Sequence, residues 1–355
     1  MTTTILRNRF WKAIENLAPS YFSMVMATGI LSIAAHLLQR EEIALGLFYV
    51  TVATYVILWF ATALRVIFFF KRVLRDLASH GAGPGFFTWI AGNCVLGADF
   101  INLFGNYTVG IWLWALSGVL WVIIMYTFFT SVVTRSEKPT IEEGINGAWL
   151  IAAVATQAIS VLGTLIAPHL PEYEAVVLFV SLVFYLLGCM LYLNIMTLIF
   201  YRFTFFVMKP ESLTPPYWIN MGAVAIATLA GSTLLLSGGQ SPLIVELSPF
   251  IKGFTLFFWA AGTWWIPLLV ILGIWRHFKK HTPMKYSPLY WGMIFPLGMY
   301  TAGTFKLAKA LNLDFLMVIP TYFIYFAFLA WLWTMLGLGW QFVRAFQDRP
   351  EKDLA

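Results

Sequence analysis

Charge is the first thing this sequence lacks. Only 11% of its 355 residues are Asp, Glu, Lys or Arg, against about 25% in an ordinary soluble domain, while 60% are hydrophobic. That excludes a water-soluble globular chain. Cysteine is scarce too: Cys94 and Cys189 both fall inside long apolar runs, so they read as small buried residues rather than a disulfide framework or a metal site. The histidines, His36, His80, His169, His277 and His281, sit mostly at the ends of apolar runs or between them, and no His-Glu-x-x-His occurs. An intramembrane hydrolase or transferase needs clustered nucleophiles, metal ligands or carboxylates to activate water. Neither an enzyme, a cofactor nor a metal is therefore expected.

What is present is a succession of apolar runs, each long enough to cross a hydrocarbon core of about 30 Å as an α-helix. Ten are read, at approximately 19–38, 43–70, 86–104, 107–133, 147–166, 174–203, 216–236, 250–275, 288–311 and 315–342. The longest connections, 71–85, 134–146 and 237–249, are too short to bury a core of their own. The expected organisation is a cytoplasmic tail over 1–18, a membrane domain over 19–342 and a second cytoplasmic tail over 343–355. Arg7, Arg9 and Lys12 precede the first run, which is longer than a signal h-region and lacks a small-x-small cleavage site, so it is expected to be retained. Lys and Arg near span ends set orientation. With the N-terminus in the cytoplasm, the inner side collects Arg7, Arg9, Lys12, Lys71, Arg72, Arg75, Arg135, Lys138, Arg202, Lys209, Arg276, Lys279, Lys280, Lys285, Arg344, Arg349 and Lys352. Arg40, Lys252, Lys306 and Lys309 fall outside, and Arg65, inside the second span, is expected to snorkel to the interface. A multi-pass protein of the cell membrane with both termini inside follows. The same bias removes any need for a nucleic-acid partner.

The runs are of two kinds. Even-numbered ones are long and bulky, as in GLFYVTVATYVILWFATALRVIFFF, and suit lipid contact. Odd-numbered ones, such as NGAWLIAAVATQAISVLG and PYWINMGAVAIATLAGSTLLL, are shorter and richer in Gly, Ala, Ser, Thr and Asn, which suits close helix contacts or a polar lumen. Each odd run begins with a Pro, Gly or polar turn residue followed by an aromatic: Phe22, Trp89, Trp149, Trp218 and Trp291, separated by 67, 60, 69 and 73 residues. That is an irregular fivefold repeat of one helical hairpin. An all-α integral membrane protein is expected, its ten transmembrane helices paired as five hairpins in a ring, slender helices inside, around a central passage.

The segments PSYFSMVMATG, NGAWLIAAVATQAISVLG, PPYWINMGAVAIATLAG and WGMIFPLGMYTAGT, in the first, fifth, seventh and ninth runs, resemble the tellurite-resistance/dicarboxylate transporter family. That family includes the slow anion channels of plant guard cells, fungal malate permeases and sulfite efflux pumps. The resemblance covers essentially the whole chain, with Ala27 standing where a glycine is common. It implies a quasi-fivefold ring around an anion pore, assembly as a homotrimer, and closure by a phenylalanine on the ninth helix, which falls on Phe295 here.

The ninth run carries its own signal. Pro296 lacks an N–H, so the carbonyl of Gly292 loses its helical partner. In hydrocarbon that is costly unless neighbours or water satisfy the freed group, so the kink reads either as lumen-facing or as a packing kink. Phe295 reads either as ordinary core or as a ring that bars an ion unable to shed its hydration shell. Candidate lining residues are Thr28, Gly29, Asn93, Gly97, Thr156, Gln157, Gly222, Thr228, Gly298 and Thr301, with Phe295 and Pro296 as the gate. Asp99 and Lys306 are candidates for an outer vestibule or an ion pair, since a carboxylate inside a span needs a partner, water or a proton. Lys309 and His36 are expected near the outer mouth. Small anions and membrane lipid are the expected partners; an anion channel is the first reading, and an exchange or proton-coupled carrier using Asp99 is the alternative.

Overall fold

A computed structural model describes residues 2–239, 241–284 and 286–347. Lys285, Arg349 and Lys352, assigned above to the inner side, lie outside the described residues, as does the stretch 348–355 of the expected C-terminal tail. The helices in order are α1 (Thr2–Glu15), α2 (Ser23–Leu37), α3 (Glu41–Leu77), α4 (Phe87–Phe104), α5 (Tyr107–Thr134), the single turn α6 (Ile141–Gly144), α7 (Ile151–Ile166), α8 (Glu174–Phe205), α9 (Ile219–Ser237), α10 (Pro242–Ile274), α11 (Trp291–Leu311) and α12 (Val318–Gln347). No strand occurs among the described residues.

Nine helical segments among the described residues, those containing α2, α3, α4, α5, α7, α8, α9, α10 and α12, are long and apolar enough to cross a membrane. The remaining expected span, α11, forms a helix of 21 residues but is not among them, because its hydroxyls, Lys306 and Lys309 dilute its apolarity. The two kinds of run differ in environment as well as composition. In the slender segments of α2, α4, α7 and α9, between 72% and 94% of the spanning window is buried, against 22% to 44% in the long ones. The bulky residues of the long helices, among them Phe60, Trp112, Leu329 and Trp333, are exposed on faces that only lipid would cover without cost.

Contacts follow one scheme. Each slender helix packs on the long helix that follows it: α2 on α3, α4 on α5, α7 on α8, α9 on α10 and α11 on α12. Slender helices also meet one another, α2 with α4, α4 with α7, α7 with α9, α9 with α11 and α11 with α2. Every slender helix is led in by a 3-10 turn, at Pro19–Phe22, Gly83–Phe86, Gly147–Leu150, Pro215–Trp218 and Pro288–Tyr290. In four of these turns proline stands at the first or second position, where its fixed φ suits the start of a helix and its missing N–H would have gone unpaired anyway. At the other end, α4 stops on Gly105 and α11 on Asn312, both left-handed, the conformation that closes a helix on its last carbonyls.

Arg65 corrects one expectation. Rather than snorkelling, it is 4% exposed. It donates to Asp76 and, at 3.2 Å, to the carbonyl of Glu15 at the end of α1. Arg72 adds an ion pair to the Glu15 carboxylate at 3.0 Å, and Trp11 packs edge-on against Phe68 at 4.9 Å. The segment before the first span is thus a helix docked on α3. Both cysteines are buried and free.

The lead-in turns of α7 and α9 touch through their backbones: a Cβ added at Gly147 would lie 2.3 Å from the carbonyl oxygen of Pro216. Gly147→Ala is expected to cost about 1–3 kcal/mol, read as a lower melting temperature of the detergent-solubilised protein. Gly253→Ala, where an added Cβ meets nothing within 4 Å, should hold or slightly raise the melt, since alanine favours a helix over glycine. Equal melts for the two variants would contradict this packing.

Candidate functional site

The 3-10 turns and first α-turns of the slender helices enclose a cavity of about 270 Å³. Its wall is built in steps of three residues. Ser20, Ser23 and Met26 come from the α2 side, Gly85 and Thr88 from α4, Ala148, Ile151 and Val154 from α7, Pro216 and Ile219 from α9, and Leu289, Gly292 and Phe295 from α11. A 3-10 turn has three residues per turn, so i and i+3 stack on one line. That line continues into the first turn of each α-helix.

The wall is largely apolar, and two of its three hydroxyls are engaged. Ser23 Oγ donates to Ser20 O, and Thr88 Oγ1 lies 2.6 Å from Gly85 O and 3.0 Å from Pro19 O. No charged side chain lines it. What the wall does supply is five helix N-terminal ends, each carrying the partial positive charge of aligned peptide dipoles. Ala18 and Pro19 before α2, with the loop residues Gly81 and Ala82, complete it. Beside them His80, with Arg135, Lys138, Glu137 and Glu143, lines an outer cleft. Burial, helped by Arg135 and Lys138, holds His80 below the usual histidine range, so at neutral pH the cations there are Arg135 and Lys138.

Phe295 stands on this wall, 2% exposed. Its place is set from both sides of the kink residue. A Cβ at Gly222 would lie 2.6 Å from Pro296 Cγ, and one at Gly298 would lie 2.8 Å from Ile30 Cγ2, so both glycines are needed for α9 and α2 to close on α11. Gly292, whose carbonyl loses its partner to Pro296, is itself on the cavity wall.

None of the ten polar and glycine residues expected to line a passage contributes to this wall. The polar ones are held from outside or by their own helix. Trp331 of α12 donates its indole N–H to Thr28 at 3.0 Å, Trp59 of α3 to Asn93 at 3.3 Å, and Trp121 of α5 to Thr156 at 2.8 Å. Gln157 donates to Tyr185 O of α8 at 2.9 Å. Thr228 and Thr301 bond back to Val224 O and Leu297 O. Gly29 and Gly97 are contact points, against Val95 and Leu162 respectively. The same device recurs at Thr304, which accepts from Trp259 of α10 at 3.0 Å, a residue the sequence reading passed over.

Asp99 and Lys306 form no ion pair. Asp99 is fully buried, and its Oδ1 lies 2.9 Å from Ser32 Oγ, which is also 2.8 Å from Ala44 O. The Ser32 hydroxyl is thus within donating distance of both oxygens, and Asp99 Oδ2 is buried without a partner. His36 meets Glu41 at 2.9 Å, partly exposed, and Lys309 is exposed. The residues missed by sequence reading, Ser20, Ser23, Met26, Thr88, Ile151, Val154 and Ile219, share one signal: a three-residue step starting at the turn before each slender helix.

A family profile described as voltage-dependent anion channel matches residues 16–338. An uncharacterised transporter of Methanocaldococcus jannaschii is 31% identical over 313 residues, covering 85% of this chain and 88% of its own length. A second transporter of that organism is 26% identical over 332 residues, covering 91% and 94%. A sulfite efflux pump of Trichophyton rubrum is 22% identical over 347 residues, covering 88% and 87%. The family read from the four sequence segments is borne out.

Because the native cysteines are buried, introduced ones report where water reaches. A charged thiol reagent is expected to modify Ser20→Cys more than about tenfold faster than Thr156→Cys, since reactivity follows exposure. Equal rates, measured by mass shift in detergent, would mean that Thr156 and not the apolar line faces water.

Proposed function

The chain belongs to the voltage-dependent anion channel family, and from that premise we propose that it passes small anions along the axis between its slender helices, with Phe295 as the gate. The observation that carries the reading is the cavity at which five helix N-terminal turns converge, with Phe295 in its wall. Around it, ten helices act as five hairpins in a quasi-fivefold ring, a reading supported by the contact of α11 back onto α2 and by the burial of the slender helices.

An anion entering the cavity exchanges part of its hydration for the positive ends of five backbone dipoles. No fixed cation holds it, so the well is shallow and the ion is free to move on, which conduction requires. At Phe295 the passage offers an apolar ring and no ligand, and an ion that cannot replace its lost water stops there. Conduction thus needs the ring to turn aside. The backbone around it stays fixed, because Pro296 and Gly298 are clasped by α9 and α2. The gate is a side-chain movement on a rigid helix.

The bias of Lys and Arg supports termini in the cytoplasm and a place in the cell membrane, with 19–342 as the transporting domain between two tails. The resemblance supports a homotrimer in which each copy has its own passage. Chloride, nitrate, sulfite, tellurite and dicarboxylates all suit a weakly positive, uncharged lining. A second reading, an exchange or proton-coupled carrier, is favoured by the fungal sulfite efflux pumps among the relatives. In that reading Asp99 is the titrating group, and its fully buried carboxyl has to become reachable by water.

In reconstituted vesicles, Phe295→Ala is expected to raise anion flux about tenfold or more, the effect of lowering the passage barrier by about 1.4 kcal/mol. Currents reversing at the anion equilibrium potential would identify a channel, and saturable flux with stoichiometric proton movement a carrier. Unchanged flux from a folded Phe295→Ala protein would sink the gate.

A further inference from the structure

A second cavity, of about 550 Å³, adjoins another flank of α11. Leu289, Gly292 and Phe295 turn to the central cavity, whereas Tyr290 and Met293 turn to this one. Its other walls are the last turns of α10, with Gly273, and the face of α12 that carries Trp333 and Gly337. The interior is apolar and aromatic. Exposed Ile271, Phe278, Trp333 and Leu336 flank it, so it is continuous with the surface that α10 and α12 present to lipid.

The chain that adjoins it through His277 and Phe278 is different in kind. The last turn of α10 runs into a π-helical turn, Trp275–Lys279, a distortion that often marks a functional position. The segment from 275 to 284 carries Arg276, Lys279 and Lys280 and no carboxylate. Arg276 donates one Nη to Leu213 O at 2.7 Å, yet its Nε is buried without a partner. It borders a small cleft that shares His277, Tyr290 and Met293 with the larger cavity. Lys279 and Lys280 are exposed, and the Lys280 ammonium lies 5.9 Å from the Trp275 ring centroid.

An apolar interior continuous with the lipid-facing surface, beside a segment that carries Arg276, Lys279 and Lys280 and no carboxylate, matches an amphiphile with an anionic head. The volume is within the range of about 300–1,000 Å³ of ordinary small-molecule sites. It is too small for a partner helix about 10–12 Å across with its side chains. We infer that this cavity is an anionic phospholipid site, with an acyl chain between α10 and α12 against Trp333 and Met293, and the phosphate on Arg276, Lys279 and Lys280. A bound lipid therefore abuts the same helical turn that carries Phe295.

Native mass spectrometry of the full chain, titrated with dioleoylphosphatidylglycerol or dioleoylphosphatidylcholine, tests this. Wild type is expected to retain the glycerol lipid over the choline lipid. The double variant Lys279→Ala/Lys280→Ala should lose that preference by about fivefold per lysine, the usual worth of a basic residue at an anionic surface. Gly273→Leu, where an added Cβ meets nothing within 4 Å, fills the cavity and should lose the retained lipid with the basic residues intact. No preference in wild type, or equal retention in all three proteins, would overturn the site. So would dimers that form without lipid and are split by Gly273→Leu, because a second copy would then be the occupant. Lipid retention is read independently of anion flux, so either reading can fail alone.

Discussion

Hydrocarbon offers no hydrogen-bond partner, so every polar group placed in the span must find one inside the protein. This chain meets much of the requirement with tryptophan, while Asn93 Nδ2, Gln157 Oε1 and both side-chain polar atoms of Asn220 stay buried without a protein partner. Indole N–H groups on the long helices point inward and are taken up by Thr28, Asn93, Thr156 and Thr304 on four slender helices. Around the fifth, Trp265 donates to Tyr192, whose hydroxyl lies 3.3 Å from the Asn220 carbonyl. An indole is suited to the task because one edge donates while the rest of the ring remains compatible with lipid or core. Each bond is worth little alone, about 0.5–1.5 kcal/mol. Each also fixes the rotation of a slender helix about its axis, and that rotation decides which line of residues meets the cavity.

The division between slender and long helices follows from the same constraint. Once the polar residues are held from outside, the inner faces must approach one another closely, and only small residues allow that. Gly147 against Pro216, and Gly222 against Pro296, are contacts that a single methyl group would push apart. The long helices then have to cover a core of thin rods, which explains why their apolar bulk lies outward on the exposed surface.

Much of the fold was legible in the sequence. Apolar runs of about 20 residues are unambiguous, the alternation of slender and bulky runs survives as buried and exposed helices, and four short segments sufficed to identify the family. The facing of the slender helices was not legible. A polar residue that glues two helices and one that lines a lumen leave the same composition, and here the glue accounts for Thr28, Asn93, Thr156 and Gln157. Arg65 and Asp99 misled for a related reason. A charge inside a span suggests water, but Arg65 found Asp76 beneath α1, and Asp99 found a serine. Helical phase is set by partners on other helices, which a single run does not record. The 3-10 turns were recorded, in Pro19, Pro84, Pro216 and Pro288, as turn signals; that they align a three-residue line along the cavity depends on all five helices standing together.

Phe295 shows where the two kinds of information meet. Its identity as a candidate came from the family resemblance, which puts the closing phenylalanine just before the proline, and its position comes from the packing of two neighbours on that proline and on Gly298. A gate that moved by bending α11 would have to separate Pro296 from Gly222 and Gly298 from Ile30, losing close contacts on both sides at once. Rotation of the phenyl side chain breaks neither. It needs only space beside the ring, and the 270 Å³ cavity supplies that space. If Phe295 is the gate proposed above, the rigidity that the glycines give α11 confines opening to one side chain.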